Sequence, residues 1–193
     1  SNENLAHVDS ATAEAILEEM AKFAQNVTLP LNRTGDEEGA TFSNGAVTTP
    51  AGFKEAFKQY AEGGWIGLAA DEEWGGQGMP KMLTVLADEM LFATNPSFML
   101  YPLLSVGAGM ALNSYASQEQ KETYLPKIYS GEWSGTMCLT EPHAGTDLGI
   151  IKTKAERNED GTYNITGTKI FITGGDHDLA ENIIHLVLAK TPD

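Results

Sequence analysis

The spacing of apolar residues along this chain changes near residue 130, from about 3.6 to 2, and that switch limits the possible folds more than any single motif. Before it, helices follow one another. Ile16, Met20, Phe23 and Val27 share one face of a helix over 10–27, with Asp9 or Ser10 as its N-cap. Residues 30–50 read as a loop: Pro30, an acidic stretch from Gly35 to Gly39, and the turn pair Asn44-Gly45. Thr49-Pro50 is a cap followed by a helix-starting proline, and it opens a helix that carries Phe53, Phe57 and Tyr60 on one side. Gly63-Gly64 ends that helix.

A second loop, Gly75 to Pro80, feeds a helix over 81–94, which Asn95-Pro96 interrupts. A more apolar helical region, 97–115, contains Gly107, Ala108 and Gly109, small enough for close approach of a neighbour. Ser117 and Gln120 form a capping box for a helix that runs to Gly131. Beyond it, 133–140, 152–157, 162–165, 169–173 and 183–188 read as strands. The expected fold class is therefore α+β. An all-helical domain at 1–130 precedes the first strands of an incomplete β-barrel or sandwich domain at 131–193. Two strand faces lack a partner within the chain, so it is expected to be part of a longer protein.

Composition narrows the function. Of the 193 residues, 41% are hydrophobic and 20% charged, enough to bury a core. The formal net charge of −15 disfavours nucleic acid and anionic membranes. It splits into 17 acids against 7 basic residues before 131 (net −10) and 10 against 5 after it (net −5). A polyanionic cofactor must then be held by backbone amides and a few local lysines. Cys138 is the sole cysteine, which rules out an internal disulfide. With no apolar run of spanning length and no signal pattern, a cytoplasmic setting is expected. Ser1-Asn2 looks like a cloning remnant.

Two segments carry the chemistry. From Met137 to Asp147, a strand breaks at Glu141-Pro142 into a loop, Ala144-Gly145-Thr146, that leaves amides uncovered for pyrophosphate oxygens. An ordinary strand-to-loop transition with Thr/Asp turn chemistry uses the same residues. Lys169 to Thr173 alternates, so Phe171 and Thr173 share one face and Ile172 the other. An aromatic plate beside a hydroxyl suits a flat, hydrogen-bonding ring, although a core phenylalanine in a sheet is the commoner use. His143, His177 and His185 lack ligand spacing, and His177, between Asp176 and Asp178, reads as part of a solvated loop. Cys138 reads as a small core residue, not a nucleophile. There is no G-x-G-x-x-G and no P-loop.

Met137–Pro142 with Ala144–Asp147, then Lys152–Ala155, then Tyr163–Thr173 resemble the central signature of the acyl-CoA dehydrogenase family. The order helices-then-strands is similar too. Pro30–Arg33, Thr49–Lys54 and Gly75–Gly78 resemble a branch that includes bacterial enzymes acting on 3-(methylthio)propanoyl-CoA. The resemblance implies FAD as cofactor, met by Met137, Leu139 and Thr140 at the flavin edge and by Gly145 and Thr146 near the pyrophosphate. It places Phe171, Ile172 and Thr173 against the ring, with Thr173 near N5. Thr146 also falls where the family touches CoA.

The family usually has tryptophan at Phe171, serine at Thr146 and glycine at His143. Phe98, Met99 and Pro102 lie where the family lines its acyl pocket, and core packing at helical spacing explains them equally. The reaction implied is oxidation of an acyl-CoA to the trans-2-enoyl-CoA, with hydride transfer to flavin N5. The catalytic glutamate is expected in a C-terminal helical domain that this sequence does not contain, and Glu141 is not a substitute for it. Implied partners are an electron-transfer flavoprotein and further copies of the chain. The rivals are an acyl-CoA oxidase, a DNA-associated protein on the same scaffold, and a helical interaction module.

Overall fold

The computed structural model describes residues 8–192, so Ser1-Asn2 lies outside the described residues. Asp9 caps the first helix by accepting the Thr12 amide at 2.8 Å. That helix, α1 (Ser10–Phe23), passes without a break through a π-helical turn (Ala24–Thr28) into α2 (Leu29–Glu38). The stretch expected to be a loop from residue 30 is thus helical as far as Glu38. Pro30 sits in the first turn after the π segment, where the widened ring already leaves a carbonyl without its usual donor, so the missing proline N–H costs little.

A hairpin follows, β1 (Thr41–Ser43) and β2 (Ala46–Thr48). Asn44 and Gly45 both take left-handed φ, 53° and 81°, as a two-residue turn between right-twisted strands demands. The hairpin is strapped to a distant loop. Asp176 accepts the Val47 amide, and Asp178 accepts both the amide and the hydroxyl of Thr49. Thr49 is therefore not a helix cap. Gly52, at φ 86°, takes that position for α3 (Phe53–Glu62).

The hydrophobic core lies in the helical half. Met20, Phe53, Phe57, Tyr60, Leu91, Phe98 and Met99 form its centre, drawn from α1, α3, α4 (Lys81–Thr94) and α5 (Pro96–Tyr115). The predicted break at Asn95 is a hinge between two helices: its side-chain oxygen caps α5 while its amide donates to the Thr28 carbonyl. The capping box of α6 (Gln118–Tyr129) forms as expected. Among the small residues of α5, Ala108 and Gly109 make the close approaches, to Gly135 and Tyr129, and Gly107 makes none.

Among the described residues the strands form three two-stranded sheets, none of them closed: β1 with β2, β3 (Trp133–Cys138) in parallel with β6 (Asn182–Val187), and β4 (Lys154–Arg157) antiparallel to β5 (Tyr163–Thr166). β3 docks on α5 so tightly that a Cβ on Gly135 would lie 2.4 Å from that of Ala108. The expected strand over 169–173 is absent; that segment is irregular. Among the described residues no helix is long and apolar enough to cross a membrane.

Candidate functional site

β3 carries two different faces. Ser134, Thr136 and Cys138 are buried on one, whereas Gly135 meets α5 on the other and Met137, two residues on, is 42% exposed. Leu139 and Thr140, at the strand exit, are half-buried. The chain then folds back on itself. Glu141 and Ala144 exchange both backbone hydrogen bonds across Pro142-His143, which closes a two-residue turn. Ala144 is thereby buried and its amide is taken, a correction to the expectation that all three loop amides stay open. The amides of Gly145 and Thr146 donate to no group among the described residues, and both residues are exposed.

The second segment lies beside the first without forming a ladder. Ile170 donates to the Thr140 carbonyl at 2.9 Å, and the Thr136 hydroxyl donates to the Thr173 carbonyl at 2.7 Å. Phe171 takes φ 56° and is 89% exposed. The expected sharing of a strand face by Phe171 and Thr173 is therefore not what forms. A strand needs a continuous partner, and here one amide bond and one side-chain bond replace it. A left-handed backbone at a bulky aromatic is strained, and such strain concentrates at ligand sites. Ile172 is half-buried and Thr173 exposed. Thr140, Met137, Gly145, Thr146 and Phe171 thus all present uncovered groups near one strand end.

Beneath them sits a buried ionic knot that the sequence did not reveal. The Glu141 carboxylate, 3% exposed, accepts the amides of Lys152 and Thr153, the Thr153 hydroxyl at 2.6 Å, and Lys169 Nζ at 3.0 Å. Burial works against its charge, but these donors prevail and hold the carboxyl well below the usual range. Lys169 Nζ also donates to the Leu139 carbonyl at 2.8 Å. His143 Nε2 lies 3.4 Å from the same carboxylate and 3.1 Å from the Ile150 carbonyl. The only sequence signal was the polar Glu141 beside a proline, which read as a strand stop.

His177 is a second correction. It is 7% exposed, bonded through Nε2 to Ser134 Oγ at 2.9 Å, and it accepts the Leu179 amide at Nδ1. Because Nδ1 accepts, Nε2 carries the proton and donates to the serine, so the pair cannot act as a nucleophile and its base. Cys138 is buried as expected, and desolvation pushes its thiol pKa up against the pull of Lys169. Of the expected acyl-pocket residues, Phe98 is enclosed by the rings of Phe23, Phe53 and Tyr60, which makes it core. Pro102 is also buried. Met99 borders a mostly apolar cavity of about 270 Å³ together with Tyr60, Trp65, Leu103 and Met110.

Two family models match the chain: "Acyl-CoA dehydrogenase, N-terminal domain" over residues 10–132 and "Acyl-CoA dehydrogenase, middle domain" over 136–193. The chain is 50% identical to the 3-methylmercaptopropionyl-CoA dehydrogenase of Ruegeria pomeroyi over 94% of its own length and 31% of that protein's. A butyryl-CoA dehydrogenase of Syntrophomonas wolfei is 44% identical over 93% of the chain and 30% of that protein. The chain thus spans about a third of the length of these relatives. The solved butyryl-CoA dehydrogenase of Megasphaera elsdenii superposes with a TM-score of 0.79 at 26% identity, covering 96% of this chain and 45% of that one. Helices then open strands, the same order and the same topology: the chain belongs to the acyl-CoA dehydrogenase family.

Proposed function

We propose that this chain supplies the helical and flavin-contacting parts of an FAD-dependent acyl-CoA dehydrogenase that converts an acyl-CoA to its trans-2-enoyl-CoA. One observation carries the reading: an exposed, left-handed Phe171 is held beside the Thr140 strand end by the Ile170–Thr140 hydrogen bond. A flat ring laid there gains an aromatic neighbour, the Met137 side chain and a threonine hydroxyl at its edge. The open amides of Gly145 and Thr146 suit a pyrophosphate in a chain whose net charge is −15, because amides bind anions without a positive field. The residues present therefore fit the group, and solved neighbours include an acyl-CoA dehydrogenase from Bacillus anthracis complexed with FAD.

FAD, when bound, supplies the acceptor for the hydride that leaves the β carbon. The chain's own residues then orient and stabilise. Thr140 Oγ1 offers a hydrogen bond to the ring edge where negative charge develops, a contact worth more in the transition state than before it. Leu139, Ile172 and Thr173 complete the wall, and Thr146 meets the cofactor or the CoA moiety. In this reading, which follows the family resemblance, the proton at the α carbon goes to a glutamate outside these residues; Glu141, already occupied by four donors, does not serve. The Met99 cavity suits a compact acyl group, in keeping with the short acyl names of its relatives. Cytoplasmic location, assembly with further copies, and an electron-transfer flavoprotein as acceptor belong to the same proposal.

Thr140→Ala and Thr173→Val in the full-length protein test it. Each is expected to weaken FAD retention after desalting by about tenfold, one lost hydrogen bond to a charged or polar ring edge being worth about 1 to 2 kcal/mol. Wild-type protein without a flavin absorbance band, or one that forms peroxide in place of reducing a flavoprotein acceptor, refutes the dehydrogenase reading.

A further inference from the structure

Glu141 and Lys169 are buried charges to which the proposed chemistry gives no task. Their side chains are 2% and 9% exposed. Such a pair is not a stabilising device by default, because desolvation offsets much of the attraction. Its geometry points elsewhere. Lys169 Nζ bridges Glu141 Oε1 at 3.0 Å and the Leu139 carbonyl at 2.8 Å, so it grips the end of β3 on both sides of Thr140. The next residue, Ile170, donates its amide to the Thr140 carbonyl, and Phe171 follows.

The carboxylate also takes the Lys152 and Thr153 amides and the Thr153 hydroxyl. Gly167 presses onto Thr153 so closely that a Cβ there would lie 2.2 Å from its Oγ1. Three chain segments are therefore tied at one carboxylate, directly under Thr140 and Phe171.

We propose that the Glu141–Lys169 pair is a positioning device that sets the spacing between the Thr140 edge and the Phe171–Thr173 segment, and thereby the grip on the cofactor ring. The segment from 169 to 173 has no ladder to hold it, so its placement rests on Lys169, the Ile170 amide bond and the Thr136 hydroxyl bond to the Thr173 carbonyl. A shift of about 1 Å in such a contact can cost up to a hundredfold in function. The device acts through Thr140 and Phe171 and touches no reacting atom. It rests on the FAD reading given above.

The test uses the full-length protein and FAD itself. Lys169→Met, which keeps the stem and removes the grip, should weaken FAD binding about tenfold or more and alter the shape of the bound flavin's visible band. Because it also leaves the buried Glu141 charge without its cation and lowers apoprotein melting, binding is compared where the apoprotein is still fully folded. Lys169→Arg, which can still reach both acceptors, should recover most of the affinity and the wild-type band. Glu141→Gln should resemble Lys169→Met; if it does not fold, the lysine pair of variants decides alone. Variants that bind FAD as tightly as wild type with an unchanged band overturn the positioning role and leave the FAD reading standing. Lys169→Met that lowers apoprotein melting and affinity together, with no rescue by arginine, also overturns it, because the role is then only structural. Wild-type protein that does not bind FAD overturns both.

Discussion

A histidine that accepts a backbone amide at one nitrogen has no freedom left at the other. His177 takes the Leu179 amide at Nδ1, so its proton sits on Nε2 and points at Ser134. Protonating the ring would set an N–H against an N–H. Desolvation lowers its pKa, with His185 adding to that effect while Asp178 and Asp176 oppose it, and Tyr101 packs edge-on at 5.3 Å. The sign follows from linkage. The unfolded ring, with a pKa of about 6.5, binds protons more readily than the folded one, so the stabilisation is complete above that value and is lost as pH falls through the lower folded pKa. Melting temperature should therefore drop as pH falls below about 6.5, and His177→Gln should flatten that step. Equal pH slopes in the two proteins would show that another group is responsible. The flanking acids made this residue look solvated in sequence. In fact they turn outward to Val47 and Thr49 and leave the ring facing in. Alternation of polar and charged residues says nothing about which side chain a loop turns inward.

Elements show the same division between what local chemistry reveals and what only packing reveals. The capping box at Ser117, the helix over 81–94 and the turn pair Asn44-Gly45 depend on neighbours within four residues, and they were legible, though the two short strands that the turn joins read as loop in the sequence. The continuation of α1 into α2 was not. Pro30 is a helix breaker by every local rule, and a π turn whose Thr28 hydroxyl bonds Ala24 and Thr94 absorbs it. Asn95 joins these elements, because its amide satisfies the Thr28 carbonyl at that turn and its oxygen caps α5. Asn95→Ala should cost about 2 kcal/mol, the sum of a lost cap and a lost buried hydrogen bond to the Thr28 carbonyl. Asn95→Ser restores only the cap and should recover about 1 kcal/mol. Urea unfolding checks this: the midpoint should fall with an unchanged slope, and an effect below about 1 kcal/mol for the alanine variant would rule out the joint. The candidate site divides likewise. Thr140 to Thr146 could be read from strand-breaking and turn residues and Met137 and Leu139 only from the family resemblance, whereas the Glu141–Lys169 knot links positions 28 apart that no local rule connects.

For the molecule as a whole, burial is lopsided. Apart from Leu179, the main core cluster is drawn from the helical half, and β4 and β5 are largely solvent-facing, with Tyr163 and Ile165 each about half exposed. Opening free energy follows buried apolar contact, so the two halves should not unfold locally at the same rate. Amides of α5 and of β3, which docks on it at Gly135, should exchange slowest. Those of β4, β5 and 169–173 should exchange at least about tenfold faster, equivalent to about 1.4 kcal/mol. Hydrogen exchange on the 193-residue chain reads this directly, and uniform protection would show that the β half is covered in solution, most simply by self-association. The proposed flavin contacts straddle this divide: Met137 to Thr140 continue a well-supported strand, while Phe171 to Thr173 hang on the Lys169 grip and two further bonds. A bound ring must therefore order the second segment far more than the first. FAD added to the full-length protein should slow exchange at 169–173 by a larger factor than at 133–138, and the reverse order would mean that the cofactor lies against β3 without engaging Phe171.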